Sequence, residues 1–326
     1  MKIVKAVVSV MILCALSTRA AKQPNILLIV ADDLGYSDIG CYGGEIKTPN
    51  LDKLASNGLR YTHAYNTARC WPTRSALMTG YYPQQINIDP RKKPGIPGWG
   101  VCLPKRLKRA GYRSYLSGKW HVIGVMPKAG GGFDETYVLH DHDRNFYPSR
   151  INVNDVHLPP VAKDTDYYVS TAFADHAIKC LKDHAKNYSD KPFFQYLAFT
   201  VPHFPLQVPA KSVEPYKGRY SEGWNKLRAE RLQKMKSLSI LNCALSPVEP
   251  EVGPPYHFPD SLEILGPGEV NRPLPWNTLT DEQKKFQSSK MELHAAMVAQ
   301  MDQQIGRVIE QVKSMKQFEN TLIMFL

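Results

Sequence analysis

Cysteine is scarce, acidic residues are outnumbered, and long apolar runs are almost absent. The chain has six cysteines in 326 residues. Cys14 lies in the first segment, leaving Cys41, Cys70, Cys102, Cys180 and Cys243 beyond it. An odd number in an exported chain leaves at least one outside any disulfide framework, and Cys70 is the candidate by its surroundings. The alternative is that none pair and all act as small hydrophobes. With 30 Asp and Glu against 41 Lys and Arg, the formal net charge is +11. That balance suits an anionic partner, such as nucleic acid, acidic lipid or a sulfated or phosphorylated substrate, without choosing among them. The one long apolar run is Ala6 to Leu16, after Lys2 and Lys5 and before small residues and Lys22. It is too short for a bilayer span and reads as a secretory signal over residues 1–21, cleaved after Ala20 or Ala21, so export is expected. Bulky Leu13 before Cys14 argues against a lipoprotein signal. No other run could cross a membrane, and no internal repeat or low-complexity tract appears. The remainder, with mean hydropathy −0.35, has the composition of a globular protein of one large domain or two.

The segment "RCWPTRSALMTG", Arg69 to Gly80, reads as a short helix. Pro72 suits a first turn, Leu77 and Met78 supply apolar bulk, and Gly80 is a stop. A helix amino-terminus attracts anions, because unpaired N–H groups and the dipole point there. Cys70 and Arg74 thus place a nucleophile and a fixed cation where an anionic substrate would be held.

The other elements alternate. "NILLIV", Asn25 to Val30, reads as a strand covered on both faces, with Asp32 and Asp33 just past its carboxyl end. In open α/β sheets that edge binds ligands. A helix follows, with Thr48 as N-cap, Pro49 in its first turn and Gly58 as stop. "LRYTHAYN" reads as a strand, "LPKRLKRAG" as a helix ending at Gly111, and "YRSYLSGKWH" as a strand running into a turn with Lys119 and His121. From Thr165 a helix repeats Val169, Phe173, Ala177 and Leu181. "PFFQYLAFTVPHFP" is a buried strand broken at Pro202 and Pro205, with His203 between them. Val208 to Pro275 is irregular and proline-rich, an excursion on the ligand side. Within it the basic run Lys217 to Lys236 reads first as a solvated helical face. "TDEQ", Thr280 to Gln283, is a capping box before a long helix with Leu293, Met297, Met301, Ile305, Val308 and Val312 on its core stripe. "NTLIMFL", Asn320 to Leu326, reads as a buried strand, and an apolar strand at the chain's end is read as truncation.

Polar residues therefore gather at the carboxyl ends of successive strands. Asp32 and Asp33 suggest a hard divalent cation held by oxygens, though a bare pair of aspartates is more often a solvated loop or a helix cap. Lys119, His121 and His203 each mean little alone. Their joint placement carries the reading.

At this point the sequence resembles the sulfatases. "CWPTR" satisfies their Cys-x-Pro-x-Arg pattern and "SALMTG" continues it. "PNILLIVADDLGYSDIGCYGG" is similar to their opening strand and metal loop, and "GKWH" and "TVPHFPLQVP" to their two basic active-site segments. "GRYSEGWNKLRAERL" and "MELHAAMVAQMDQQIGRVI" resemble later stretches of arylsulfatase-like members. The similarity runs from about Gln23 to the last residue. It implies an α/β fold, an alkaline-phosphatase-like sandwich with a central, mostly parallel sheet flanked by helices. It also implies that Cys70 is oxidised to formylglycine by a maturation enzyme. The hydrated aldehyde attacks the sulfur of a sulfate ester, and its second hydroxyl lets the sulfated intermediate collapse. By position Asp32, Asp33 and formylglycine-70 would bind the metal, Ca²⁺ rather than Mg²⁺. Arg74 would orient the hydrate, Lys119 and His203 would hold sulfate oxygens and protonate the leaving oxygen, and His121 would assist release. The expected partners are an aryl or carbohydrate sulfate and the maturation enzyme, with no nucleic acid and no membrane span.

Family members follow the last strand with a Ser-Asp-Asn-Gly-like turn that gives the metal an Asp and an Asn, then a further lysine and a smaller C-terminal subdomain. This sequence stops at Leu326 before them. The expectation is an incomplete catalytic domain over residues 22–326 with about half the metal's protein donors, a weak site and little activity. Two other readings stand beside it. One is a phosphatase or phosphodiesterase of the same superfamily, which would use Thr or Ser and more metal ligands. The other is a non-catalytic secreted binder of sulfated glycans.

Overall fold

The computed structural model describes residues 23–88, 95–140, 144–252, 261–270 and 272–326; the signal-like segment 1–21 lies outside them. The apolar run after Pro24 forms β1 (Asn25–Asp32), in which Leu27 and Ile29 have no exposed surface and Leu28 and Val30 almost none. Burial on both faces puts such a strand inside a parallel sheet. Its neighbours are β6 (Phe193–Pro202), buried along its whole length, and β7 (Thr321–Phe325), both parallel to it. Beyond β6 lie β2 (Arg113–Gly118) and β3 (Glu135–Leu139), also parallel, then β4 (Ile151–Val153) and β5 (Val156–His157), which run antiparallel. The sheet order is β5-β4-β3-β2-β6-β1-β7.

Helices cover both faces. The first is α1 (Pro49–Ser56), followed by α2 (Cys70–Thr79), α3 (Leu103–Arg109) and α4 (Val169–Asn187), then α5 (Gly223–Ser237) and α6 (Asp281–Ser314). On one face Leu27, Ile29 and Leu197 pack with Phe173, Ala177 and Leu181 of α4 and with Met297, Met301, Ile305 and Val308 of α6. On the other, Leu28, Val30 and Leu116 pack with Met78 of α2 and with Cys102, Trp120 and Phe133. The result is the expected α/β class, a mostly parallel sheet between helical layers. Among the described residues no helix is long and apolar enough to cross a membrane.

Four local expectations change. "LRYTHAYN" is not a strand but an exposed loop, with Leu59, Tyr61 and Tyr65 at 85%, 66% and 91% exposure. Both edges of β1 are already paired, so the loop's alternation finds no partner. β7 is an edge strand rather than a buried one, with Leu322 and Met324 on its open side. The helix after Thr165 begins at Val169. Thr48 stands at the N-cap of α1 but its hydroxyl makes no cap bond; it meets Gly40 N and Asp52 instead. The buried carboxylate of Asp302, from α6, takes the N–H groups of Asn50 at 3.2 Å and Leu51 at 2.9 Å. The capping box on α6 forms as read, with Thr280 and Gln283 exchanging bonds.

Candidate active site

Parallel strands bring β1, β2 and β6 out at one edge, so Asp32, Lys119 and His203 arrive there together. Asp32 is the last residue of β1 rather than just past its end, and is 2% exposed. Its Oδ2 accepts from Lys119 Nζ at 2.5 Å and its Oδ1 pairs with Arg74 Nη2 at 3.2 Å. Burial pushes the Asp32 carboxyl up, but Arg74 and Lys119 outweigh it and hold it below the ordinary carboxylate value. Two buried cations face one carboxylate, which leaves the spot electropositive and suited to an anion.

Arg74 is fully enclosed, and its partners fix it. Nη1 donates to the Lys119 carbonyl at 3.0 Å and to the Tyr196 hydroxyl at 3.3 Å, and Nη2 to the Phe199 carbonyl at 3.1 Å. A planar fork with several donors can satisfy such a set, and an ammonium cannot. Cys70 opens α2 one turn before Arg74 and is partly exposed. Arg69 ahead of it is extended and supplies no side-chain cap; in the first turn Pro72 has no N–H, and Thr73 N donates to the Arg69 carbonyl at 3.1 Å. All five described cysteines are free, so the reading in which none pair is the one observed.

Lys119 reaches Asp32 because Gly118 allows it. At φ 124° a Cβ on Gly118 would lie 1.9 Å from the Ala198 carbonyl oxygen. His121 follows two residues later, half-buried, with φ 51°. His203 Nε2 lies 3.5 Å from Asp33, and its Nδ1 donates to the Phe204 carbonyl at 2.5 Å. Asp33 itself has φ 64° and a half-exposed side chain. Asp32, Arg74 and Lys119 thus form one bonded group and Asp33 with His203 a second, while Cys70 and His121 lie within four residues of its members.

Four contributors were missed from sequence. Tyr196 supports Arg74, and a hydroxyl inside the apolar run "FFQYLAF" was the available signal. Gly118 was unread as a close approach. The loop after β1 is pinned by Arg231 of α5, which meets Asp38 at 2.7 Å and Glu45 at 2.7 Å, and by His294 of α6, 3.0 Å from Asp38.

A family model described as Sulfatase matches residues 24–326. The chain belongs to the sulfatase family. An uncharacterized sulfatase of Schizosaccharomyces pombe is 35% identical over 94% of this chain and 57% of its own length. An arylsulfatase of Klebsiella aerogenes is 32% identical over 100% of this chain and 70% of its own. Among solved structures, Ps i-CgsB in complex with k-i-k-neocarrahexaose aligns with a TM-score of 0.61 at 26% identity, covering 93% of this chain and 58% of that one. The chain spans little more than half the length of the fission-yeast relative.

Sulfatases generally use formylglycine and a divalent metal. Asp32 and Asp33 are donors of the right kind for a hard cation, which wants six or more oxygens. Both Asp32 oxygens already face cations, and among the described residues no group of three or more His, Cys, Asp or Glu could hold an ion. These residues suit such an ion in chemistry and fall short in number.

Proposed function

We propose that the protein hydrolyses sulfate esters at this edge. The observation that carries the reading is the buried Asp32–Arg74–Lys119 group, one helical turn from Cys70, in a chain of the sulfatase family. Cys70, oxidised to formylglycine by a maturation enzyme, would supply a self-resetting nucleophile. The chain's own residues do the rest. Arg74, immobilised by four partners, fixes the start of α2 relative to Asp32. Lys119 supplies positive charge where sulfate oxygens would lie. His203, with Nδ1–H held by the Phe204 carbonyl, would as the imidazolium hold a sulfate oxygen through Nε2 or give a proton to the leaving oxygen, and His121 would assist release. Asp32 and Asp33 would be this chain's contribution to a divalent ion held by oxygens, which the family resemblance makes calcium rather than magnesium.

The substrate class is an aryl or carbohydrate sulfate, and the carrahexaose held by Ps i-CgsB supports the second. The composition of residues 1–21 supports export. Two measurements test the function on protein made with the maturation machinery. Mass spectrometry of the peptide holding Cys70 should show sulfur and two hydrogens replaced by one oxygen. Hydrolysis of an aryl sulfate, weak with so few oxygen donors for the ion, should vanish in Cys70→Ala. Equal rates in the two proteins, or faster turnover of the matching aryl phosphate, would overturn the proposal.

A further inference from the structure

The opposite edge of the sheet carries a cleft of about 530 Å³ lined by Lys105, Lys108, Arg113, Lys128, Asp134 and Glu135. Arg113 begins β2 and Lys119 follows its end, so the cleft and the candidate active site are roughly 20 Å apart at about 3.3 Å per residue. We propose that this cleft binds sulfated polysaccharide. The four cations hold sulfate groups, and Asp134 and Glu135 accept bonds from sugar hydroxyls.

Several features prepare the cleft. The Arg113 guanidinium lies 3.8 Å over the Tyr188 ring centroid, and its Nε donates to the Tyr115 hydroxyl at 3.1 Å. Stacking and bonding hold that fork in place before any ligand arrives. Gly132, at φ 90°, lets the Lys105 stem lie where a Cβ would sit 2.3 Å from Lys105 Cγ. Lys108 meets Asp134 Oδ1 at 3.3 Å and Arg113 meets Glu135 Oε1 at 3.8 Å, so both carboxylates are partly neutralised, while Ser114 N at 2.9 Å and Asn154 Nδ2 at 2.6 Å hold their second oxygens and leave Oδ1 and Oε1 to a sugar hydroxyl. Lys105 and Lys128 make no ion pair among the described residues, and their charge is available. Arg106 and Arg109, exposed on α3 with no acidic residue in that helix, extend the basic surface.

The lining favours a glycan over a nucleic acid. Single-stranded binders need open aromatic faces for bases. Here Phe133 is buried and Tyr188 is covered by Arg113. A DNA backbone offers phosphates but no donors for Asp134 and Glu135, whereas a sulfated sugar offers both anions and hydroxyls.

The test is direct binding to dextran sulfate across a salt series, with neutral dextran and duplex DNA as comparisons. The double variant Lys105→Glu/Lys128→Glu should weaken dextran sulfate binding roughly tenfold or more and flatten its salt dependence, as loss of cations facing a polyanion requires. Lys236→Glu/Lys285→Glu makes the same charge change at exposed positions elsewhere and should have little effect. In the unaltered protein, dextran sulfate should also shield Lys105 and Lys128 from acetylation, a readout that needs no variant to fold. Equal losses in both double variants, DNA binding as tight as dextran sulfate, or no shielding would each overturn the proposal.

Discussion

Asp32 and Lys119, eighty-seven positions apart, meet at 2.5 Å with both side chains enclosed, and Arg74 takes the second oxygen of the same carboxylate. Removing that carboxylate leaves two buried cations without their counter-charge. Asp32→Asn should cost about 3–5 kcal/mol of folding stability, the usual penalty for breaking a buried pair. Asp33, half-exposed, has water to take its partner's place, so Asp33→Asn should stay within about 1 kcal/mol. Urea midpoints of the two variants check the contrast, and similar values would contradict the buried arrangement.

Gly118 should tolerate no side chain. Its left-handed conformation and the Ala198 carbonyl, 1.9 Å from where a Cβ would stand, are both backbone features that cannot rotate away. Gly118→Ala should therefore destabilise by at least about 3 kcal/mol and displace Lys119 from Asp32. Gly111, also left-handed but with open space around it, is the comparison. Gly111→Ala should cost only the conformational strain, about 1 kcal/mol. Thermal denaturation of both separates strain from collision.

How much of this was legible follows from where each interaction partner lies. β1 could be read because its apolar run is buried on both faces, and the Cys70 helix because cysteine, proline and glycine mark it locally. β7 has the same apolar character yet lies at an edge, because burial is set by neighbours that a strand's own residues do not name. The loop 59–66 alternates like a strand, but β6 and β7 already occupy both edges of β1. Arg74 was legible as a cation, while its carbonyl partners at Lys119 and Phe199 carry no residue signal. The bond from Arg231 to Asp38 joins positions 193 apart, beyond any local pattern.

The cap on α1 makes a third expectation. Asp302 is fully buried and takes Asn50 N, Asn50 Nδ2 and Leu51 N. Leu51 N is buried and has no water to turn to, so Asp302→Ala should cost about 2–4 kcal/mol, more than an exposed cap. Thr48→Val removes a hydroxyl that does not cap the helix, though it does meet Gly40 N and Asp52. Its cost should be smaller, about 1–2 kcal/mol. Denaturant unfolding of the two orders them, and the reverse order would return the cap to Thr48.

Acid should take from the loop that follows β1 the stability that the Asp38 carboxylate gives it. Burial pushes the Asp38 carboxyl up, but hydrogen bonds and charge from His294 and Arg231 overcome it and bring it down to about 2. Glu45, beside the same Arg231 and the Tyr220 hydroxyl, is likewise held below its ordinary value. A carboxyl whose folded pKa lies below its unfolded one adds stability that is full above the unfolded value near 3.8 and is lost as pH falls toward 2. For Asp38 that portion is about 2 kcal/mol, from a shift worth about 1.4 kcal/mol per unit. Wild type should therefore shed that stability between about pH 4 and pH 2. Asp38→Asn, already missing it at neutral pH, should show a correspondingly flatter acid limb when urea midpoints are followed down the same range. Parallel limbs in the two proteins would mean that the contacts of Arg231 and His294 with Asp38 do not hold this loop in solution.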